Sequence, residues 1–133
     1  MTTSDDTDLC ACGSGHPRAA CCLPFVAGLA PAPTALALMR SRYTAFCLGH
    51  LGYLRDTWHP DTRPARLDAD PERRWLGLKI VDTSGGEAGD VEGEVEFVAR
   101  FKVGGRGHRL HERSRFRFQD GRWYYVDGDV SSR

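Results

Sequence analysis

Four cysteines fall within thirteen consecutive residues, Cys10 and Cys12 as one pair and Cys21 and Cys22 as the other, in the pattern C-x-C-x8-C-C. Thiolates at this density are a soft donor set, and a tetrahedral metal wants four of them. The spacing therefore predicts a bound metal, with zinc as the expected ion. The returning loop is built for it: Gly13 and Gly15 accept positive φ, Ser14 supports a turn and Pro17 stiffens the way back. A closed four-thiolate set keeps no open coordination position, so the expected role of the zinc is structural.

Disulfide bonding is the competing chemistry for the same residues. Bonds within Cys10/Cys12 or Cys21/Cys22 would be strained by their nearness, while crossed pairing between the two pairs stays open. The first eight residues are acidic and lack an apolar core, which is not the pattern of a secretory signal, so a reducing cytoplasmic setting is expected. The fifth cysteine, Cys47, stands among apolar residues on an expected helix and is read as a small core side chain.

A second site candidate lies on an expected strand, Leu110 to Phe118. Its even positions, Leu110, Glu112, Ser114, Phe116 and Phe118, share one face by the period of two, which sets a carboxylate and a hydroxyl among core-type residues. A carboxylate on the covered face of a sheet is costly unless something answers it. Arg40, Arg42 and His59 are the expected partners, and an Arg–carboxylate pair orienting helix against sheet is favoured over a polar base in an aromatic pocket. The odd positions, His111, Arg113, Arg115 and Arg117, form a basic stripe expected to face solvent. Asp127, just before Gly128, reads as a turn aspartate.

Length and composition bound the elements that must hold these residues. The chain has 133 residues, 41% of them hydrophobic, enough for one compact core with a small appendage. Eighteen basic residues balance eighteen acidic ones, so no overall field draws the chain to nucleic acid or to an anionic membrane. No apolar run reaches the length of a bilayer span.

Pro31 and Pro33 mark a joint after the cysteine segment. Thr34 then caps an expected helix whose apolar face is Leu36, Met39, Tyr43, Phe46 and His50, interrupted at Gly49 and Gly52. A short helix with Tyr53, Leu54, Thr57 and Trp58 inward ends at His59-Pro60, and Asp70-Pro71-Glu72-Arg73-Arg74 reads as another helix start. From Trp75 the period changes to two. Expected strands cover Trp75 to Thr83, Val91 to Val103, Arg109 to Phe118 and Arg122 to Val130, the last two joined by the turn at Asp120-Gly121. Helices followed by an antiparallel sheet with one covered face make an α+β fold.

These residues carry a resemblance. Cys10-Ala11-Cys12-Gly13-Ser14-Gly15 and the second pair resemble the SEC-C motif, the small zinc element at the C-terminus of the SecA translocation motor. Leu38 to Phe46, Thr57-Trp58-His59-Pro60, Val95-Glu96-Phe97, His111 to Phe116 and Trp123 to Gly128 are similar to the YchJ-like family of bacterial proteins. The resemblance implies a SEC-C element over residues 1–28, ligated by Cys10, Cys12, Cys21 and Cys22. It implies a nuclear-transport-factor-two-like (cystatin-like) domain over 34–133, a curved antiparallel sheet wrapped as a cone against N-terminal helices. Members often carry a second cysteine motif at the C-terminus, which residues 127–133 lack, so a single zinc element is expected. The SecA element is lysine-rich between its pairs and contacts a chaperone and the ribosome; Arg18 and His16 alone stand there in this chain, which argues against those partners.

The function expected on these grounds is a binding or adaptor module. Its zinc element docks a protein partner, and its cone offers Arg40, Tyr43, Trp58, His59, Phe97, Glu112, Ser114 and Trp123 to a small ligand. The alternative is a small proton-transfer or hydrolytic enzyme with Glu112 or His59 as base. Nucleic acid is not an expected partner, since an exposed alternating basic face is ordinarily solvation.

Overall fold

The computed structural model describes residues 9–67 and 72–131. After the cysteine loop come three helices, α1 (Leu23–Val26), α2 (Ala35–Leu48) and α3 (Leu51–Asp56), then four strands, β1 (Arg73–Gly85), β2 (Glu92–Val103), β3 (Arg106–Gln119) and β4 (Arg122–Ser131). The strands form one antiparallel meander in the order β1-β2-β3-β4. The fold is α+β, as the change of period predicts. The helix expected to start at Asp70 is corrected where it can be seen: Arg73 and Arg74 already belong to β1, while residues 68–71 lie outside the described residues.

Thr34 caps α2 with an extended backbone, and its side chain accepts the backbone N–H of Ala37 at 3.0 Å, a contact that contributes about 1 kcal/mol. Gly49 ends the helix in the left-handed conformation at φ 72°. His50 does not continue the apolar face of α2. It caps α3 instead, its Nδ1 accepting the Tyr53 N–H at 3.2 Å, and Gly52 lies within α3 rather than interrupting a helix.

The burial of α2 departs from a single apolar stripe. Ala35, Leu38, Met39, Ser41, Arg42, Tyr43, Thr44 and Ala45 are all buried, whereas Phe46 is 41% exposed and Cys47 is exposed rather than a core side chain. The cause is packing on several sides, since α2 meets the sheet, α3 and α1 together. Polar residues are tolerated there because each is bonded. Ser41 Oγ donates to the Leu38 carbonyl at 2.9 Å and lies 2.7 Å from the Tyr53 hydroxyl.

Along β2 the alternation holds except at Val98, which is buried between Phe97 and Ala99. Gly93, Val95, Phe97 and Ala99 are buried toward the helices while Glu92 and Arg100 are exposed. Register shifts at Trp75/Gly77 and Ile80/Asp82 on β1, and at Arg115/Phe116 opposite β4, bend the sheet around its covered face. The hairpin end of β1 comes very close to the start of α2, where the Ala35 N–H donates to the Gly86 carbonyl at 3.0 Å. A Cβ at Gly86 would lie 2.6 Å from that of Ala35, and Gly86 has φ 78°, so only glycine fits.

The cysteine segment belongs to this core instead of hanging from the prolines. Cys10, Cys12, Cys22 and Val26 join Leu38, Met39 and Ala45 in one hydrophobic cluster. The outer face of the sheet is also more organised than a bare basic stripe. His111 meets Glu96 at 2.7 Å, Arg113 meets Asp82, Glu94 and Glu96, and Arg115 meets Asp127 and Asp129. Asp127 is thus an ion-pair partner as well as the residue before Gly128. No helix among the described residues is long and apolar enough to cross a membrane.

Candidate functional site

The sulfurs of Cys10, Cys12, Cys21 and Cys22 all lie within 4.8 Å of one another. Local backbone bonds bring them there. The Cys10 N–H donates to the His16 carbonyl and the Gly13 N–H to the Cys10 carbonyl, closing the first turn, and a 3-10 turn over Arg18–Ala20 delivers Cys21 and Cys22 to the start of α1. Zinc–sulfur bonds of about 2.3 Å in a tetrahedron put neighbouring sulfurs about 3.8 Å apart. Cys12 to Cys21 is 3.6 Å and Cys21 to Cys22 is 3.8 Å, so the donor set fits a tetrahedral ion. These are far from the covalent separation of a disulfide, and all five cysteines are free.

Groups outside the four thiols orient them. Thr44 Oγ1 lies 3.5 Å from Cys10 Sγ, Ser14 Oγ lies 3.1 Å from Cys21 Sγ, and Arg40 donates from Nη1 to the Cys12 carbonyl at 2.8 Å. Arg40 and Thr44 are one turn apart on α2, so this helix is the floor of the cluster. Within the cluster, hydrogen bonding from Cys12 and Cys22 holds the Cys10 thiol far below the usual range. The matching bond from Cys10 pushes Cys22 up, and burial pushes Cys21 up.

A different side of α2 meets the covered face of the sheet across a cavity of about 210 Å³. Met39, Tyr43 and Phe46 come from α2, while Trp75, Phe97, Ala99 and Leu110 come from β1, β2 and β3. The polar groups are Glu112 and Ser114 from β3, Tyr125 from β4, Arg42 from α2 and Arg73 from β1. Trp58 completes the wall because its segment pairs with β4: the His59 N–H donates to the Tyr125 carbonyl and the Tyr125 N–H to the Thr57 carbonyl, both at 2.8 Å.

Among the described residues no arginine clamps Glu112. Its Oε2 accepts from Ser114 Oγ at 2.6 Å and from the Tyr125 hydroxyl at 3.1 Å. Burial, then the neighbouring Glu112 charge, pushes the Tyr125 phenol up, so it remains a donor. Arg42, only 3% exposed, donates from Nη1 to the Leu54 carbonyl at 2.8 Å and to Thr57 Oγ1 at 2.7 Å. Its guanidinium lies 4.7 Å from the Tyr125 ring centre and 5.2 Å from that of Trp58. Desolvation brings its pKa down to about 10, still charged at neutral pH.

The cavity gathers Tyr43, Trp58, Phe97, Glu112 and Ser114 from the expected ligand-binding set. Three expected members are elsewhere. Arg40 turns to the cysteines, and Trp123 donates from Nε1 to the Pro33 carbonyl at 3.3 Å and packs on Phe118. His59, 3% exposed, has Nδ1 accepting the Asp61 N–H at 3.1 Å and Nε2 at 2.9 Å from Gln119 Oε1, so both ring nitrogens are engaged outside the cavity. The sequence reading has Arg42 only as a partner for Glu112 and Tyr125 only as an aromatic of the wall, and neither in the ligand-binding set. Tyr125 had a legible signal as an aromatic on the neighbouring strand, whereas its pairing with Phe116, from which its hydroxyl reaches Glu112, depends on the bulge at Arg115/Phe116.

Gly128 makes room for the carboxylate. A Cβ there would lie 2.8 Å from Glu112 Cδ and would overlap Oε2. Replacing Gly128→Ala is expected to swing Glu112 away from Ser114 and Tyr125 and to cost about 1–3 kcal/mol. Urea unfolding together with the chemical shifts of the Glu112 carboxylate checks this; an unmoved carboxylate at unchanged stability would refute it.

Residues 34–128 match the family model of the YchJ middle NTF2-like domain. A UPF0225 protein of Chromobacterium violaceum is 52% identical over 126 residues, covering 92% of this chain and 93% of the relative. One from Streptomyces coelicolor is 54% identical over 123 residues, covering 92% and 96%. The solution structure of a SEC-C motif containing protein from Rhodopseudomonas palustris superposes with a TM-score of 0.82 at 39% identity, covering 94% of this chain and all of that one. The crystal structure of a SEC-C motif containing protein from Psychrobacter arcticus gives 0.77 at 28% identity, covering 98% and 87%. The fold is thus shared with these two SEC-C motif containing proteins, and the chain belongs to the YchJ (UPF0225) family, with an NTF2-like domain over residues 34–128.

Proposed function

We propose that the protein is a zinc-stabilised binding module whose cavity between α2 and the sheet holds a small organic ligand and whose cysteine element docks a protein partner. The observation that carries the reading is the cavity itself: aromatic and aliphatic walls with a few convergent polar groups are what small-ligand sites are made of. Four thiolates suit zinc, which Cys10, Cys12, Cys21 and Cys22 would hold as a structural cross-link between the two turns. Reduced thiols suit a cytoplasmic setting. Partner docking is supported by a groove beside Cys21 and Cys22, where Phe25 and Leu36 lie alongside His16 and Arg40.

Binding is better supported than hydrolysis. His59 is enclosed away from the cavity, so among the described residues no histidine joins the Ser114–Glu112 pair to complete a relay of nucleophile, base and orienting group.

The three tryptophans make a test with its own control. Trp58 and Trp75 line the cavity and Trp123 does not. In a fragment screen followed by 15N-labelled indole resonances, binders are expected to shift Trp58 and Trp75 and to leave Trp123 in place. A screen whose binders move Trp123 alone, or that finds no binder, would reject the cavity as a ligand site.

A further inference from the structure

The polar inventory of the cavity is unbalanced, and we infer that its ligand is a small carboxylic acid with a one- or two-ring apolar body, its carboxylate seated against Arg42. This rests on the reading of the cavity as a ligand site. Charge is the first observation. Arg42 and Arg73 line the space against one carboxylate, Glu112. Glu112 forms an ion pair with neither, since its bonds come from Ser114 and Tyr125 while Arg42 spends its own on Leu54 and Thr57. A lining with a net positive charge favours a monoanion.

Hydrogen-bond donors are the second observation. Both bonds of Arg42 leave from Nη1, so the N–H groups on Nε and Nη2 have no partner among the described residues. The Trp58 indole N–H is buried and also lacks an acceptor. Against these, the one carboxylate of the wall has an oxygen without a donor among the described residues, Glu112 Oε1, because both bonds to that carboxylate end on Oε2. Of these the Trp58 N–H is fully enclosed, and a buried donor without an acceptor is costly. A ligand that brings acceptor oxygens and a negative charge answers both imbalances, and an amine answers neither. The guanidinium fork is also the donor that best matches a carboxylate.

Size and walls supply the rest. A dry cavity of about 150 Å³ admits benzene, so about 210 Å³ suits a one- or two-ring body. Tyr43, Trp75 and Phe97 present rings to it.

The test titrates the full, zinc-loaded chain with benzoate, benzamide and benzylamine, observing the Arg42 Nε–H and the indole resonances by NMR. Benzoate is expected to saturate the shifts of Arg42, Trp58 and Trp75 with an affinity about tenfold or more above the other two, the margin of a charge-assisted over a neutral hydrogen bond. Because Arg42 variants are expected to lose stability, charge is varied at its neighbours. Glu112→Gln is expected to tighten benzoate and Arg73→Gln to weaken it, each by about threefold. If benzamide or benzylamine binds as tightly at Trp58 and Trp75, or if Glu112→Gln weakens benzoate, the acid assignment falls and the ligand site stands. If none of the three moves Trp58 or Trp75, the ligand-site reading falls with it.

Discussion

Replacing Cys12→Ser is expected to release the metal and to cost more than about 4 kcal/mol of stability, the range reached when a structural metal is lost. Structural zinc in small peptides contributes roughly 10–16 kcal/mol of apparent binding free energy at neutral pH. Part of the ordering around residues 9–26 comes here from packing instead, because Cys12 and Cys22 are among the most buried residues and touch the same cluster as Leu38 and Ala45. Loss of the metal therefore propagates into α2 through Arg40 and Thr44, which reach the Cys12 carbonyl and the Cys10 sulfur. Metal content per chain and the urea midpoint check the expectation. Cys47→Ser is the control: its side chain is exposed and outside the cluster, so one equivalent of metal and stability within about 0.5 kcal/mol are expected. A Cys12→Ser chain that keeps its metal and its midpoint would sink the proposed site.

Truncating Arg42→Ala is expected to cost about 3–5 kcal/mol, the sum of two buried acceptors left unpaired and a desolvated cation–π contact removed. The Leu54 carbonyl and Thr57 Oγ1 lose their donor, and the Trp58 and Tyr125 rings lose the guanidinium between them. Arg42→Met should cost less, about 1–3 kcal/mol, because the stem volume is kept while the Leu54 carbonyl still goes unpaired. Urea denaturation of the two variants decides it. An alanine variant within about 1 kcal/mol of the parent would mean that Arg42 is not a structural support, whatever its part in binding.

The sheet is largely legible in the sequence because its signal is local. Val95, Phe97 and Ala99 alternate with charged residues, and a period of two allows only one assignment of faces once one face is covered. For the same reason Glu112 and Ser114 are placed correctly on the covered side of β3. The cysteine cluster is legible too, since its ligands sit close enough in sequence for short turns to assemble them. The first helix is misread in part. Leu36, Met39, Tyr43 and Phe46 make a plausible stripe, yet Arg42, Ser41 and Thr44 are buried and Phe46 and Cys47 are not. A helix packed on several sides has no single apolar face for a periodic pattern to show.

The partners of Glu112 mark where local reasoning stops. Composition and spacing determined that a carboxylate would stand inside the sheet, that four thiolates would converge, and that helices would precede a meander. Which residues answer that carboxylate was decided only in three dimensions. A bulge in the β3–β4 pairing sets Tyr125 opposite Phe116, with its hydroxyl in reach of that carboxylate, Gly128 leaves space for its oxygens, and the pairing of residues 57–59 with β4 draws Thr57 and Trp58 around Arg42. Likewise the turn of α2 that points Arg40 at the cysteines, and Met39 and Tyr43 at the cavity, depends on how the helix is rotated against three neighbours at once. Periodicity along a chain encodes which face of an element is covered. The pairing of side chains across elements depends on register, bulges and helix rotation, which are set by close packing among residues far apart in sequence.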